Sequence, residues 1–186
     1  MNNEMDLFVR KQLKGISLFG LNYQNRVKKF AEKFSEGTEF DREILDYSVS
    51  LHNVSARTLL LYGKEFHSAS ASVAERFLKN TQLKQEKISV ICECIRNAGV
   101  NGIPSSFEGK ILQNAVLAEF LGKTGIAYFL FLAGIKRLSS LKLMDSFNGF
   151  MQEVNSVHLL GSSEEEINKR KEFFESFFNG LFEEFD

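Results

Sequence analysis

The sequence has no tryptophan, one proline, two cysteines and three histidines in 186 residues. One proline and 13 glycines are too few turn residues for a sandwich or barrel of many short strands. Cys92 and Cys94 lie two apart. On a helix their side chains point about 200° apart, so no disulfide joins them and nothing indicates an oxidising compartment. Neither sign of charge dominates: 23 basic and 24 acidic residues give a net charge of −1. Domains that grip a phosphate backbone are usually visibly basic, so no nucleic-acid partner is expected. The longest apolar run, Ile126 to Ala133, has eight residues, whereas a bilayer span takes about 20. No membrane partner is expected, and the run reads as a core helix buried on most sides. The first residues, Met1 to Asp6, have neither a basic nor an apolar stretch. No secretory signal is read there, and the expected location is the cytoplasm.

What the chain does have is apolar bulk at helical spacing. Hydrophobic residues make up 44%, and 19 are phenylalanine, more than a disordered chain carries. Val27, Phe30, Ala31 and Phe34 follow the i, i+3, i+4, i+7 pattern of a helix with one apolar face, and Gly37 closes it. Thr38 with Asp41 reads as a new helix start, leading through Ile44, Leu45 and Ser48 to Leu51 and His52. Ile88, Ile91, Cys92 and Ile95 repeat the template. After the turn at Asn101 to Pro104, Ser105 and Glu108 are spaced as a capping box ahead of Phe107, Ile111, Ala115 and Ala118. Ser162 and Glu165 are spaced likewise before a stripe of Phe174, Phe177, Phe178, Leu181 and Phe185. No segment alternates long enough for a strand. The expectation is one all-α domain over residues 1–186, a helical bundle of eight or nine helices.

Residues 163–186 carry a net charge of −5 against +4 for the rest. Glu164 to Glu166 suit the first turn of the last helix, where acidic charge meets the helix dipole. The Phe stripe reads first as core, although a terminal helix can also pair two protomers as a homodimer. Lys28, Lys29 and Lys33 form a small basic face, read as a solvated helix surface. Gly63-Lys64, Gly109-Lys110 and Gly122-Lys123 follow no strand, so none is read as a phosphate loop.

The remaining signal is an ordered set of short stretches. Tyr23 stands three before Arg26. Leu51-His52-Asn53 follows, then His67 with Ser68 to Ala71, then Arg96-Asn97. Lys110 to Ala115, containing Asn114, precedes Gly122-Lys123-Thr124-Gly125. In order and spacing these resemble the HD-domain superfamily, helical metal-dependent phosphohydrolases, and most nearly a small bacterial branch of it. The likeness covers about residues 20–186 and extends to Arg170 and Glu183-Glu184 near the end. The resemblance implies an all-α fold and a divalent ion held by histidines and aspartates, which lowers the pKa of an attacking water.

Position by position, the chain departs from that pattern. Where the family has its first His, its His-Asp pair, its later His and its late Asp, this sequence has Tyr23, His52-Asn53, Asn97 and Asn114. His67 is retained. A second Asp is Val116, and an Arg after the Gly-x-x-Gly stretch is Tyr128. Asn offers a divalent ion a neutral carbonyl in place of a carboxylate, and two imidazoles do not reach the roughly three ligands of a catalytic site. Tyr23, His52, Asn53, His67, Asn97 and Asn114 are therefore read as vestigial metal-site positions, with no catalytic residue, bound metal or other cofactor expected.

The amides and Tyr23 are expected to hydrogen-bond to one another in place of the ion. Each histidine also has a plain packing reading: a partly buried His52, a His67 packed at its helix start, and a surface or packed His158. The functional expectation is an inactive HD-fold protein that binds a small ligand or a protein partner. The alternative is an active phosphohydrolase on a nucleotide or small phosphate ester, with an atypical site holding manganese or nickel weakly.

Overall fold

A computed structural model describes residues 3–16, 19–56 and 63–185, with the side chains of residues 63 and 64 left aside. Met1 and Asn2 of the leading segment, and Asp186 of the acidic end, lie outside the described residues. Among the described residues there are nine helices and no strand: α1 (Asn3–Leu13), α2 (Leu21–Phe34), α3 (Arg42–Leu51), α4 (Gly63–Leu78), α5 (Gln85–Arg96), α6 (Phe107–Phe120), α7 (Lys123–Ile135), α8 (Ser140–Ser156) and α9 (Gly161–Glu183).

The axis of the fold is α6. Its apolar side chains face inward on every side, and even Gln113, Asn114 and Glu119 are buried. It packs against α2, α3, α5, α7 and α9. The expected apolar face of α2, with Val27, Ala31 and Phe34, is buried against it, while that of α5, with Ile88, Ile91, Cys92 and Ile95, is buried among α3, α4 and α6. Both cysteines are buried thiols on α5, and burial raises each to a pKa of about 11.

Three helix starts differ from the sequence reading. The α3 cap is Asp41, whose carboxylate accepts from the amides of Glu43 and Ile44, while Thr38 bonds back to Ser35 at the end of α2. The cap of α6 is Ser106, one residue later than expected. Its Glu108 reaches across to the Asp41 amide, which leaves Ser105 to donate to Glu93. Ser162 does not close a capping box either. It donates to the carbonyl of Phe34, because α9 starts against the end of α2 and finds that unsatisfied oxygen first.

Two expected cores are also redrawn. On α9 the inward stripe is Phe174, Phe178 and Phe182, whereas Phe177 and Phe185 are 41% and 44% exposed. The i, i+4 spacing from Phe174 carries the buried row, and Phe177 falls on the neighbouring face. The apolar run from Ile126 to Ala133 is not buried on most sides. Of α7, only Gly125 and Ile126 are buried, and Phe131 and Ile135 are 42% and 47% exposed. Its start is pressed onto α6 so closely that a Cβ on Gly125 would overlap the Phe120 carbonyl. Beyond that corner the helix stands away from α6. No single described helix is long and apolar enough to cross a membrane. The pair α6 and α7 would be bent by 75°, and α6 is the centre of the core.

Candidate functional site

Helix α3 ends at Leu51 and delivers His52 and Asn53 into the interior, both fully buried. The His52 Nδ1 lies 2.7 Å from the carbonyl oxygen of Val49. The Asn53 amide donates to the carbonyl of Phe19 at 2.8 Å. From α2, the Tyr23 ring lies 5.5 Å from that of His52, centre to centre. Phe19 meets both Tyr23 and Tyr128 edge-on. His67, on the second turn of α4, is buried beside Phe66. His52 is therefore wholly rather than partly buried.

Burial decides the charge state of both rings. It lowers the pKa of His52 to about 4, only partly opposed by the bond to Val49. It lowers that of His67 to about 3, and repulsion from His52 adds to the effect. Both are neutral near pH 7. Burial, then the Glu119 charge, raise the pKa of Tyr23. Three buried polar atoms here, His52 Nε2, Asn53 Oδ1 and His67 Nδ1, have no hydrogen-bond partner.

The other two expected positions turn elsewhere. Asn97 caps α5, donating to Glu93 and accepting from the Ile103 amide. Asn114 donates to the carbonyl of His158 and accepts from the amide of Leu160 and the hydroxyl of Ser163. Its amide thus fastens the start of α9 to α6. The expected cluster of mutually bonded amides does not form, because helix ends and loops supply nearer main-chain partners. His158 is exposed, and its carbonyl is the Asn114 acceptor.

Two features had no counterpart in the sequence reading. Glu119 is a buried carboxylate on α6, paired with Arg26 at 2.7 Å. Burial raises its pKa, and Arg26 opposes the shift. A lone acid inside the apolar stretch Ala115 to Phe120 was its only trace. The second is a partly open cavity of about 270 Å³ beside His67, lined by α6, α7, α8 and the turn after α5. Val116 and Tyr128, two of the positions that depart from the family pattern, line it. So does Gly99, which follows Asn97 by two residues.

No protein-family model matches the chain, and no curated protein matches it significantly. Solved structures do. A hydrolase of the HD superfamily from Bacillus thuringiensis superposes with a TM-score of 0.66 at 22% identity, over 98% of this chain and 95% of the other. A predicted HD-superfamily hydrolase from an uncultured Thermotogales bacterium superposes with a TM-score of 0.63 at 18% identity, over 98% and 92%. The helical fold of this chain is that of HD-superfamily hydrolases.

That fold family implies a divalent metal, and the residues present do not fit one. Among the described residues, the unpartnered donors at His52, Asn53 and His67 are two neutral imidazoles and one amide oxygen. Asn114 is fully engaged. Among the described residues, no three His, Cys, Asp or Glu side chains converge as a metal site. Such a set lacks the anionic oxygens that hold a hard divalent ion.

Proposed function

We propose that this chain is an HD-fold protein without phosphohydrolase activity, kept as a binding module for a small ligand or a protein. One observation carries this reading. The side chain at the family's late Asp position, Asn114, spends its donor and its acceptor on three bonds that secure α9. It has become part of the scaffold, while an open cavity persists beside His67. Metal analysis of untagged protein, purified without added metal or chelator, tests the reading. The expected content is far below one divalent ion per chain. One ion per chain with turnover of a phosphate ester would overturn it.

A second reading, an active phosphohydrolase with an atypical manganese or nickel site, draws on His52. Its Nδ1 is held by a main-chain carbonyl and its Nε2 is unpartnered, the posture in which a histidine presents a lone pair to a metal. The same metal analysis separates the two. Pairing of protomers through α9 is compatible with either, supported by the exposed rings of Phe173, Phe177 and Phe185. Size exclusion with light scattering tests it, and a strict monomer at high concentration would count against pairing.

A further inference from the structure

Resting on the binding-module reading, we propose that the cavity beside His67 takes an uncharged, mainly apolar molecule of about two fused rings, bearing one hydroxyl directed at the His67 imidazole. Size comes first. An enclosed apolar space of about 150 Å³ accepts benzene, and this cavity is about 270 Å³. Its walls include Val116, Leu117, Phe120, Phe129 and Leu132. The charged lining side chains are Lys136 and Glu153, one of each sign and both exposed, hence on the solvent side. A phosphate or carboxylate lodged at depth would lose its hydration against hydrocarbon.

The polar end of the ligand is set by His67. It lines the cavity, and because its partnerless Nδ1 is sealed from open space, the edge that a ligand can meet is the Nε2 edge. That edge faces Gly99, where a Cβ would stand 2.9 Å from Cδ2 and 3.1 Å from Nε2. Glycine there keeps the ring edge clear. A neutral imidazole has one N–H and one lone pair, and a hydroxyl both donates and accepts. It therefore pairs with Nε2 in either tautomer.

The test is a fluorescence titration of the full untagged chain with 2-naphthol, naphthalene and 2-naphthyl phosphate. 2-Naphthol should bind saturably at one site, about tenfold more tightly than naphthalene, the worth of one hydrogen bond. 2-Naphthyl phosphate should bind at least about tenfold more weakly than 2-naphthol. Leu132→Trp, which fills the space, should abolish binding. Gly99→Ala, a smaller change checked for folding by circular dichroism, should weaken 2-naphthol about tenfold. His67→Phe should remove the advantage of naphthol over naphthalene. Failure of 2-naphthol to bind, equal affinity for naphthalene, or tighter binding of the phosphate would overturn the proposal. Hydrolysis of 2-naphthyl phosphate would instead overturn the binding-module reading beneath it.

Discussion

His52 donates from Nδ1 to the main-chain oxygen of Val49 across 2.7 Å. Since a carbonyl only accepts, this bond fixes the neutral tautomer with its proton on Nδ1 and its lone pair on Nε2. The lone pair is buried and unmatched, and protonating it would place a charge beside His67.

Acid sensitivity follows from both rings. The folded pKa values, about 4 and about 3, lie below the ordinary histidine value of 6.5. Below pH 6.5 the unfolded chain binds protons that the folded chain refuses, so stability present above that pH is lost as pH falls toward 4. Each unit of separation corresponds to about 1.4 kcal/mol per ring, several kcal/mol in all. Glu119, raised in pKa, works in the opposite direction but is one group. Melting temperatures at pH 7.5, 6 and 5 should fall steadily, and in a His52→Leu, His67→Leu variant the slope should flatten. Equal slopes would refute the assignment.

Divalent ions should leave stability unchanged. An ion present at 100 times its dissociation constant would add about 2.7 kcal/mol, several degrees for a chain of this length. Thermal melts with manganese and with nickel should therefore coincide with the metal-free melt. A saturable rise would mean that the chain holds a divalent metal after all.

Restoring an aspartate at position 114 should harm the protein. In Asn114→Asp the group that donates to the His158 carbonyl becomes a second acceptor, and a charge is buried. The expected loss is about 2–4 kcal/mol, read by denaturant titration. Asn53→Asp should be destabilising for the same reason, since it loses the 2.8 Å bond to Phe19, and should not confer phosphatase activity.

Removing Arg26 strands Glu119. Arg26→Ala should cost about 2–3 kcal/mol at pH 8, at the lower end for a broken buried pair because the Arg26 side chain is partly exposed. Without its cation, the folded pKa of Glu119 rises further above its unfolded value. The loss should therefore shrink at pH 5, where the carboxyl takes up a proton, and grow as pH rises. A loss independent of pH would argue against this pairing. Glu119→Gln should be milder at both pH values, because it removes the buried charge and leaves only the partly exposed Arg26 unpaired.

The helical fold was legible because one-sided apolar spacing on α2 and α5 leaves little choice of buried face. The caps misled by a residue or more, since Ser105 and Ser106, or Ser162 and Ser163, are chemically alike, and the choice depends on what lies across the fold. The Ser162 hydroxyl found Phe34, 128 residues away in sequence. The family resemblance also singled out His52, Asn53 and His67, all three of which are buried. It could not identify the cavity, whose walls come from α6, α7, α8 and the turn at Gly99, nor the Arg26–Glu119 pair, whose partners are 93 residues apart. Hydropathy misjudged α7 because it reports how apolar a helix is and not whether anything covers it.

The contrast between α6 and α7 has a kinetic side. Both form walls of one cavity, yet α6 is packed on by five helices whereas α7 is held by its first turn and by Phe129 against Phe150, Phe174 and Phe178. Opening α6 requires something near global unfolding, while the far end of α7 can detach at much smaller cost. Amide hydrogens from Leu132 to Ile135 should exchange with solvent well before those from Ile111 to Ala118, and occupancy of the cavity should slow the former selectively. The cavity wall that should yield first is then the most apolar of the described helices, beyond its close contact with α6 at Gly125 and Phe120.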